Sequence, residues 1–179
     1  MSDFSIRPAK KEDVPAIARV HVATWQTTYR GVMPDTLLDN LSIKDREDQW
    51  MTAVTHPRLP NFVYVAQTAN NEVVGLASGG PPQTRMIGYA GELYALYVLE
   101  AHQRKGIGRA LFHATVAHLL GDEINTMVLW VLQDNKGSRA FYKALGGKKV
   151  GTKPYQVGEE ILNAVAYGYD NLRVLQKGF

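Results

Sequence analysis

Hydrophobic residues change their spacing along the chain, and each change marks an element. Phe4 to Arg7 reads as a short first strand. Val14, Ile17, Ala18, His21 and Trp25 then recur at helical intervals. With Asp13 as N-cap and Pro15 in the first turn, this helix should run to about Tyr29 and end at Gly31. Pro34 restarts a short helix through Leu38, and Ser42 with Asp45 forms a capping-box pattern for a helix ending near Val54. Pro57 and Pro60 close this helical section.

The period then shortens. Phe62 to Ala66 and Val73 to Ala77 alternate like strands, joined by a turn at Asn70-Asn71. Gly79-Gly80-Pro81-Pro82 reads as a loop with some mobility, and Glu92 to Val98 as a buried strand. A glycine-bearing turn at 103–108 opens an amphipathic helix that runs to Leu120. Thr126 to Leu132 is β-rich. Asn135 precedes a helix carrying Ala140, Phe141, Ala144 and Leu145, which Gly146-Gly147 stops. Lys148 to Thr152 and Ile161 to Tyr169 form a closing hairpin. Strict βα alternation would predict a parallel sheet. This order instead predicts an α/β (α+β) fold with a mixed sheet, an antiparallel meander followed by parallel crossovers.

Composition narrows the class. The 179 residues, 45% hydrophobic and 21% charged, suit one globular domain spanning 1–179. No apolar window is long enough to span a bilayer and no signal-peptide pattern opens the chain, so a cytoplasmic protein without a membrane partner is expected. With no cysteine there is neither a thiolate metal site nor a cysteine nucleophile, and the histidines lack metal-ligand spacing, so no metal is expected. The net charge of +3 is mild and its basic residues are scattered, so no nucleic-acid partner is expected either.

The turn Gln103-Arg104-Lys105-Gly106-Ile107-Gly108 carries the most specific chemistry. A helix start leaves backbone N–H groups unpaired and partly positive, which suits an anion, and the two glycines let a phosphate approach the backbone. The dinucleotide fingerprint fails, because Leu111 stands where a third glycine or alanine belongs, and a Gly-Lys-Ser/Thr P-loop is absent.

The same hexapeptide resembles the Gln/Arg-x-x-Gly-x-Gly/Ala signature of the GNAT superfamily of N-acetyltransferases. Leu96-Tyr97-Val98 precedes it at the family's offset, Asn135 follows the next strand, and Tyr142 lies in a segment similar to the family's penultimate helix. The resemblance covers nearly the whole chain. It implies a mixed, mostly antiparallel central sheet of about seven strands flanked by about four or five helices, with splayed central strands. It also implies acetyl-CoA as acyl-donor cosubstrate. The amides of Arg104 to Arg109, including Lys105, Gly106, Ile107 and Gly108, would take the diphosphate while Gln103 shapes the loop. The pantetheine arm would lie along Leu96, Tyr97 and Val98 like an added strand, with Asn135 opposite.

Tyr142 matches the family's general acid, and Glu92 the place where some members carry a general base. The plainer reading of Glu92 is a solvated or salt-bridged residue, and that of Tyr142 is core packing beside Phe141. Trp25 and Tyr29 read as core aromatics, although the family's first helix and following loop border the acceptor site. An oxyanion donor is expected at the Val98 amide or its neighbour. Without a cysteine acyl-enzyme, direct transfer to an amine is favoured.

Tyr29-Arg30-Gly31-Val32-Met33-Pro34 resembles members acting on small amines, including polyamines, with Asp35, Glu92, Glu159 and Glu160 as candidate acidic contacts. Protein N-terminal or lysine acetylation and a non-catalytic CoA-binding sensor are the competing readings. A homodimer is a mild expectation from the family.

Overall fold

The structure is a computed structural model that describes residues 3–56, 61–83 and 86–178. The elements follow as β1 (Phe4–Pro8), α1 (Val14–Thr28), α2 (Asp35–Asp39), α3 (Ile43–Thr55), β2 (Phe62–Thr68), β3 (Val73–Gly80) and β4 (Gly91–Val98). Then come α4 (Ile107–Gly121), β5 (Met127–Leu132), α5 (Lys136–Ala144), β6 (Lys148–Val157) and β7 (Glu160–Tyr169). Short 3-10 turns at Lys11–Asp13, Glu100–His102 and Leu172–Gly178 join or end them. The seven strands make one sheet in the order β1-β2-β3-β4-β5-β7-β6. Every pair is antiparallel except β4–β5. The mixed sheet expected from the element order is therefore present.

Each face of the sheet has its own cover. On one, α4 lays Leu111, Phe112, Val116 and Leu119 against Ala66, Val74, Ala77, Leu93 and Leu129. These four helix side chains are at most 1% exposed. Burying each contributes roughly 1.5–3 kcal/mol before entropy is counted. On the other face, α1 and α3 bring Val14, Ile17, Ala18 and Trp50 to Val63, Val65, Val73 and Leu76. A smaller cluster under α2 joins Met33 and Leu38 to Leu132 and Val157.

Three local expectations are corrected. Gly79 and Gly80 belong to β3 instead of a loop. A Cβ at Gly79 would lie 2.6 Å from both the Glu92 carbonyl oxygen and the Phe62 ring, so glycine is what lets the strands close here. Asp13 does not cap α1 with its side chain. Its carboxylate accepts the Lys10 N–H at 2.7 Å and pairs with Arg7 at 2.7 Å, which pins the 3-10 turn to β1. The closing hairpin is longer than its apolar residues suggest, because Lys153 to Val157 continues β6 with mostly exposed side chains. Pro154 is tolerated there because β6 is the sheet's edge. Pro57 and Pro60 lie outside the described residues. Ser42 does cap α3, accepting the Asp45 N–H at 3.1 Å.

The feature that positions the site is a bulge. β3–β4 pairing runs Ser78↔Ala95 and then Gly79↔Leu93, so Tyr94 is the extra residue on β4. Leu93 packs with the α4-side core, and Ala95 and Tyr97 with the α1-side core.

Candidate active site

β4 and β5 pair only from Gly91↔Met127 to Leu93↔Leu129, although β4 continues to Val98 and β5 to Leu132. Past that point they part. The gap is a cleft of about 670 Å³ walled by β4, β5, the ends of α1 and α5, and the turn before α4.

Hydrogen-bond parity says which backbone groups face the gap. The Gly91 N–H goes to Thr126 on the β5 side, while the Leu99 N–H goes to Val74 in the opposite direction, on the β3 side. Alternation back from Leu99 turns Tyr97 and Ala95 toward β3, and Val98 and Leu96 toward the gap. The bulge at Tyr94 makes this reversal possible. The Val98 carbonyl is already taken by the Gln103 side-chain amide at 3.0 Å. The N–H groups of Leu96 and Val98 and the Leu96 carbonyl are the edge that an extended amide chain can use.

At one end of the cleft stands the glycine turn. Arg104 (φ 61°) and Gly106 (φ 85°) both adopt left-handed backbone, and a Cβ on Gly106 would meet nothing within 4 Å. Ala110 N–H bonds back to Gly106 at 3.0 Å, so the amides before it have no helical acceptor. Gly108 lies against Phe141 of α5, where a Cβ would make ordinary van der Waals contact at 3.5 Å. Gln103, Arg104, Gly106, Gly108 and Arg109 line the cleft. Lys105 instead turns its ammonium onto the Ala101 carbonyl at 2.9 Å, and the Ile107 side chain is buried in the core. These two residues offer the site only backbone.

The opposite wall is α5. Asn135 caps it, its side-chain oxygen accepting the Ser138 N–H at 3.0 Å. Tyr142, 7% exposed, lines the cleft, and among the described residues its hydroxyl has no hydrogen-bond partner. Burial, and then the neighbouring tyrosines Tyr169, Tyr29 and Tyr97, push its ionisation well above the usual phenol range. It is therefore a neutral donor across physiological pH.

Residues that sequence reasoning did not assign to the site come from the α1 face. Thr24, Thr27 and Thr28 of α1 line the cleft with Tyr94 and Trp130, beside Tyr29, which the family resemblance sets near the acceptor site with Trp25; Trp25 is not part of the cleft wall. The three threonines share a helix face at i, i+3 and i+4, a spacing legible in the sequence. Tyr94 and Trp130 give no such sign, because the bulge and the register fix their directions. Burial raises the pKa of the Tyr29 hydroxyl, and the nearby Asn135 side chain partly offsets that rise. Burial and the nearby Glu92 push Tyr94 up to about 12.

Glu92 is 6% exposed and shares the α1 face, but it is not part of the cleft wall. Its carboxylate accepts the Gln83 N–H at 2.7 Å, under the segment that follows β3. His21 is no base either. Its Nδ1 accepts the Trp50 indole N–H at 3.0 Å, so the neutral ring carries its proton on Nε2. Burial and Arg46 lower its pKa to about 4.

Beyond Tyr29 lies a second basin of about 710 Å³, between α2, the start of α3 and the β6–β7 turn. Glu159, Glu160, Asp45 and Arg46 line it. Asp35, also a candidate acidic contact, is instead paired with Arg30 at 3.2 Å.

The sequence profile of the acetyltransferase (GNAT) family matches residues 22–146. The chain is 38% identical over 172 residues, 96% of each chain, to the uncharacterized N-acetyltransferase YuaI of Bacillus subtilis (strain 168). The PaiA N-acetyltransferase of Thermoplasma acidophilum, solved in complex with coenzyme A, superposes with a TM-score of 0.70 at 18% identity, over 93% of this chain and 99% of that one. YncA of Salmonella typhimurium, solved with its cofactor acetyl-CoA, gives 0.70 at 22% identity, over 95% and 94%. At these identities the two structures show a common fold.

Proposed function

The chain belongs to the GNAT acetyltransferase family and is an N-acetyltransferase with acetyl-CoA as its donor, and from that premise we propose that it acetylates a small-molecule primary amine by direct transfer. The observation that carries the reading is the cleft. A left-handed glycine turn at one end, a free strand edge along one wall and a buried phenol on the other are the parts that a diphosphate, a pantetheine arm and a thioester require.

In this reading the amides of Arg104 to Arg109 hold the diphosphate, with the Arg104 and Arg109 side chains adding charge. Leu96, Tyr97 and Val98 carry the arm as an added strand, and Asn135 closes on it from α5. The amine arrives from the α1 face, past Thr24, Tyr29 and Trp130, and attacks the thioester carbonyl in the gap. The N–H of Val98 faces the developing oxyanion. As the C–S bond breaks, Tyr142 gives its proton to the sulfur, whose thiolate has an ordinary pKa of about 8.5.

An alkylammonium, with a pKa of roughly 10, must first lose a proton. Glu92, held by the Gln83 N–H on the same face of the sheet, takes that proton through intervening water. Asp45, Glu159 and Glu160 around the outer basin make a polyamine the competing acceptor class, which a comparison of cationic with anionic acceptors separates.

Thiol release from acetyl-CoA across a panel of amines, peptide N-termini and lysine peptides tests the proposal. Release with small amines but not with peptides is expected. If CoA binds tightly and no amine stimulates release, the transfer reading fails. Tyr142→Phe tests the acid. Its hydroxyl has no described partner to strand, so folding and acetyl-CoA affinity should hold while kcat falls about 100-fold. An unchanged kcat from pH 6 to 9 would remove Tyr142 from the chemistry.

A further inference from the structure

We propose that Arg46 is a specificity-determining residue which receives an oxyanion, carboxylate or phosphoryl, carried by the amine acceptor; the inference rests on the acetyl-transfer reading above. Arg46 sits on α3 with its guanidinium over the Trp25 ring, 5.8 Å from the centroid. Its side-chain hydrogen bond goes to a neutral group, the Gln49 side-chain oxygen, at 2.7 Å. Its Nε is buried without a partner. No described carboxylate lies within ion-pair distance of it.

The other cations nearby behave differently. Arg7 pairs with Asp13 at 2.7 Å, and Arg30, although much more exposed, pairs with both Asp35 and Asp39. Lys44, two residues before Arg46 on the same helix, pairs with Asp48. Asp45, Glu159 and Glu160 share the basin with Arg46, but all three are exposed. A half-buried guanidinium without a counter-charge is costly to keep. The cost is recovered when a ligand brings the anion, and a planar fork of donors is matched to carboxylate and phosphoryl oxygens.

Its place in the fold points the same way. Trp25, which carries the guanidinium, meets Tyr29 at 5.3 Å between ring centroids, and Tyr29 lines the cleft. Leu37 of the basin packs in the same cluster as Trp25 and Tyr29. The charge of Arg46 is felt at His21 and at the Tyr97 hydroxyl, and Tyr97 is itself a cleft residue. An acceptor whose amine reaches the gap past Tyr29 therefore trails its remaining groups toward Arg46. A polyamine would bring like charge to that point, whereas an amino-carboxylate or aminophosphonate would bring the missing partner.

The test is charge selectivity in matched acceptors. An α-amino acid, its carboxamide, the corresponding α-aminophosphonate and spermidine are compared by kcat/KM, each calculated on its neutral-amine fraction. In the unaltered enzyme at least one anionic acceptor should exceed the carboxamide by about tenfold or more, and whichever of the two leads identifies the oxyanion. In Arg46→Gln the ratio of anionic acceptor to carboxamide should fall toward one through a raised KM, and Arg46→Lys should keep part of it.

The inference is overturned if that ratio is the same in Arg46→Gln and the unaltered enzyme, as it would be were Arg46 only a strut on Trp25. A preference for spermidine over both anionic acceptors would overturn it too. Should Arg46→Gln fail to fold, the selectivity of the unaltered enzyme still decides. Absence of thiol release with every amine removes the transfer reading itself, a result distinct from release that ignores acceptor charge.

Discussion

Acid should destabilise this protein chiefly through the buried His21, with His113, which burial and Arg109 also hold below the usual imidazole range, acting in the same direction. The His21 ring is 8% exposed, fixed by the Trp50 indole N–H, and lies tilted 4.9 Å from the ring of Tyr97. Burial and the charge of Arg46 lower its pKa from 6.5 to about 4. Between those values the unfolded chain binds a proton that the folded chain refuses, so stability rises with pH across the window. It is fully present above pH 6.5, declines as pH falls, and stops declining near pH 4, where the folded ring also protonates. A shift from 6.5 to about 4, at 1.36 kcal/mol per pH unit, amounts to about 3 kcal/mol. For a domain whose total is on the order of 5–15 kcal/mol that is a large share.

Urea unfolding at half-unit steps from pH 7.5 to 4 measures it, with His21→Asn as the comparison. An asparagine side-chain oxygen can still accept the Trp50 N–H, but it does not titrate. The unaltered protein should lose about 3 kcal/mol over this range and His21→Asn far less. Asp13 does not confuse the result. Its pKa is lowered by the hydrogen bond from Arg7, so its contribution persists until the pH falls below the ordinary carboxylate range. Coincident slopes for the two proteins between pH 6.5 and 4.5 would refute the assignment.

Two further substitutions separate stability from binding. Gly79→Ala places a Cβ 2.6 Å from the Glu92 carbonyl and the Phe62 ring, and should cost about 1–3 kcal/mol in a urea melt, with β3–β4 pairing disturbed. Asn135→Ala removes the cap from α5 and a polar neighbour of the Tyr29 hydroxyl. It should lower stability by about 1 kcal/mol and weaken acetyl-CoA binding in calorimetry, whereas a purely structural cap would leave the affinity alone.

Asn135 and Tyr142 were legible only through the resemblance of their segment to the family's motif, whereas the glycine turn was legible from local chemistry, a helix start with two glycines. Lys105 reads like a phosphate ligand by the same logic, and its side chain still turns to Ala101, since the neighbouring left-handed Arg104 is not visible in composition. Gly79 and Gly80 read like a loop because their reason for being glycine lies on other strands, at Glu92 and Phe62.

The same limit explains the acceptor side of the cleft. One extra residue, Tyr94, reverses the parity of β4, so that Gly91 addresses β5 while Leu96 and Val98 address the gap beside it. An alternation count along Glu92 to Val98 assumes one parity throughout, and puts every residue beyond the bulge on the wrong side. Flattening the bulge without shortening the chain would turn Val98 toward β3 and present the Tyr97 amide to the gap in its place. The parting of β4 from β5 opens the edge, and the β3–β4 register, held by Gly79, decides which β4 residues present their amides to it.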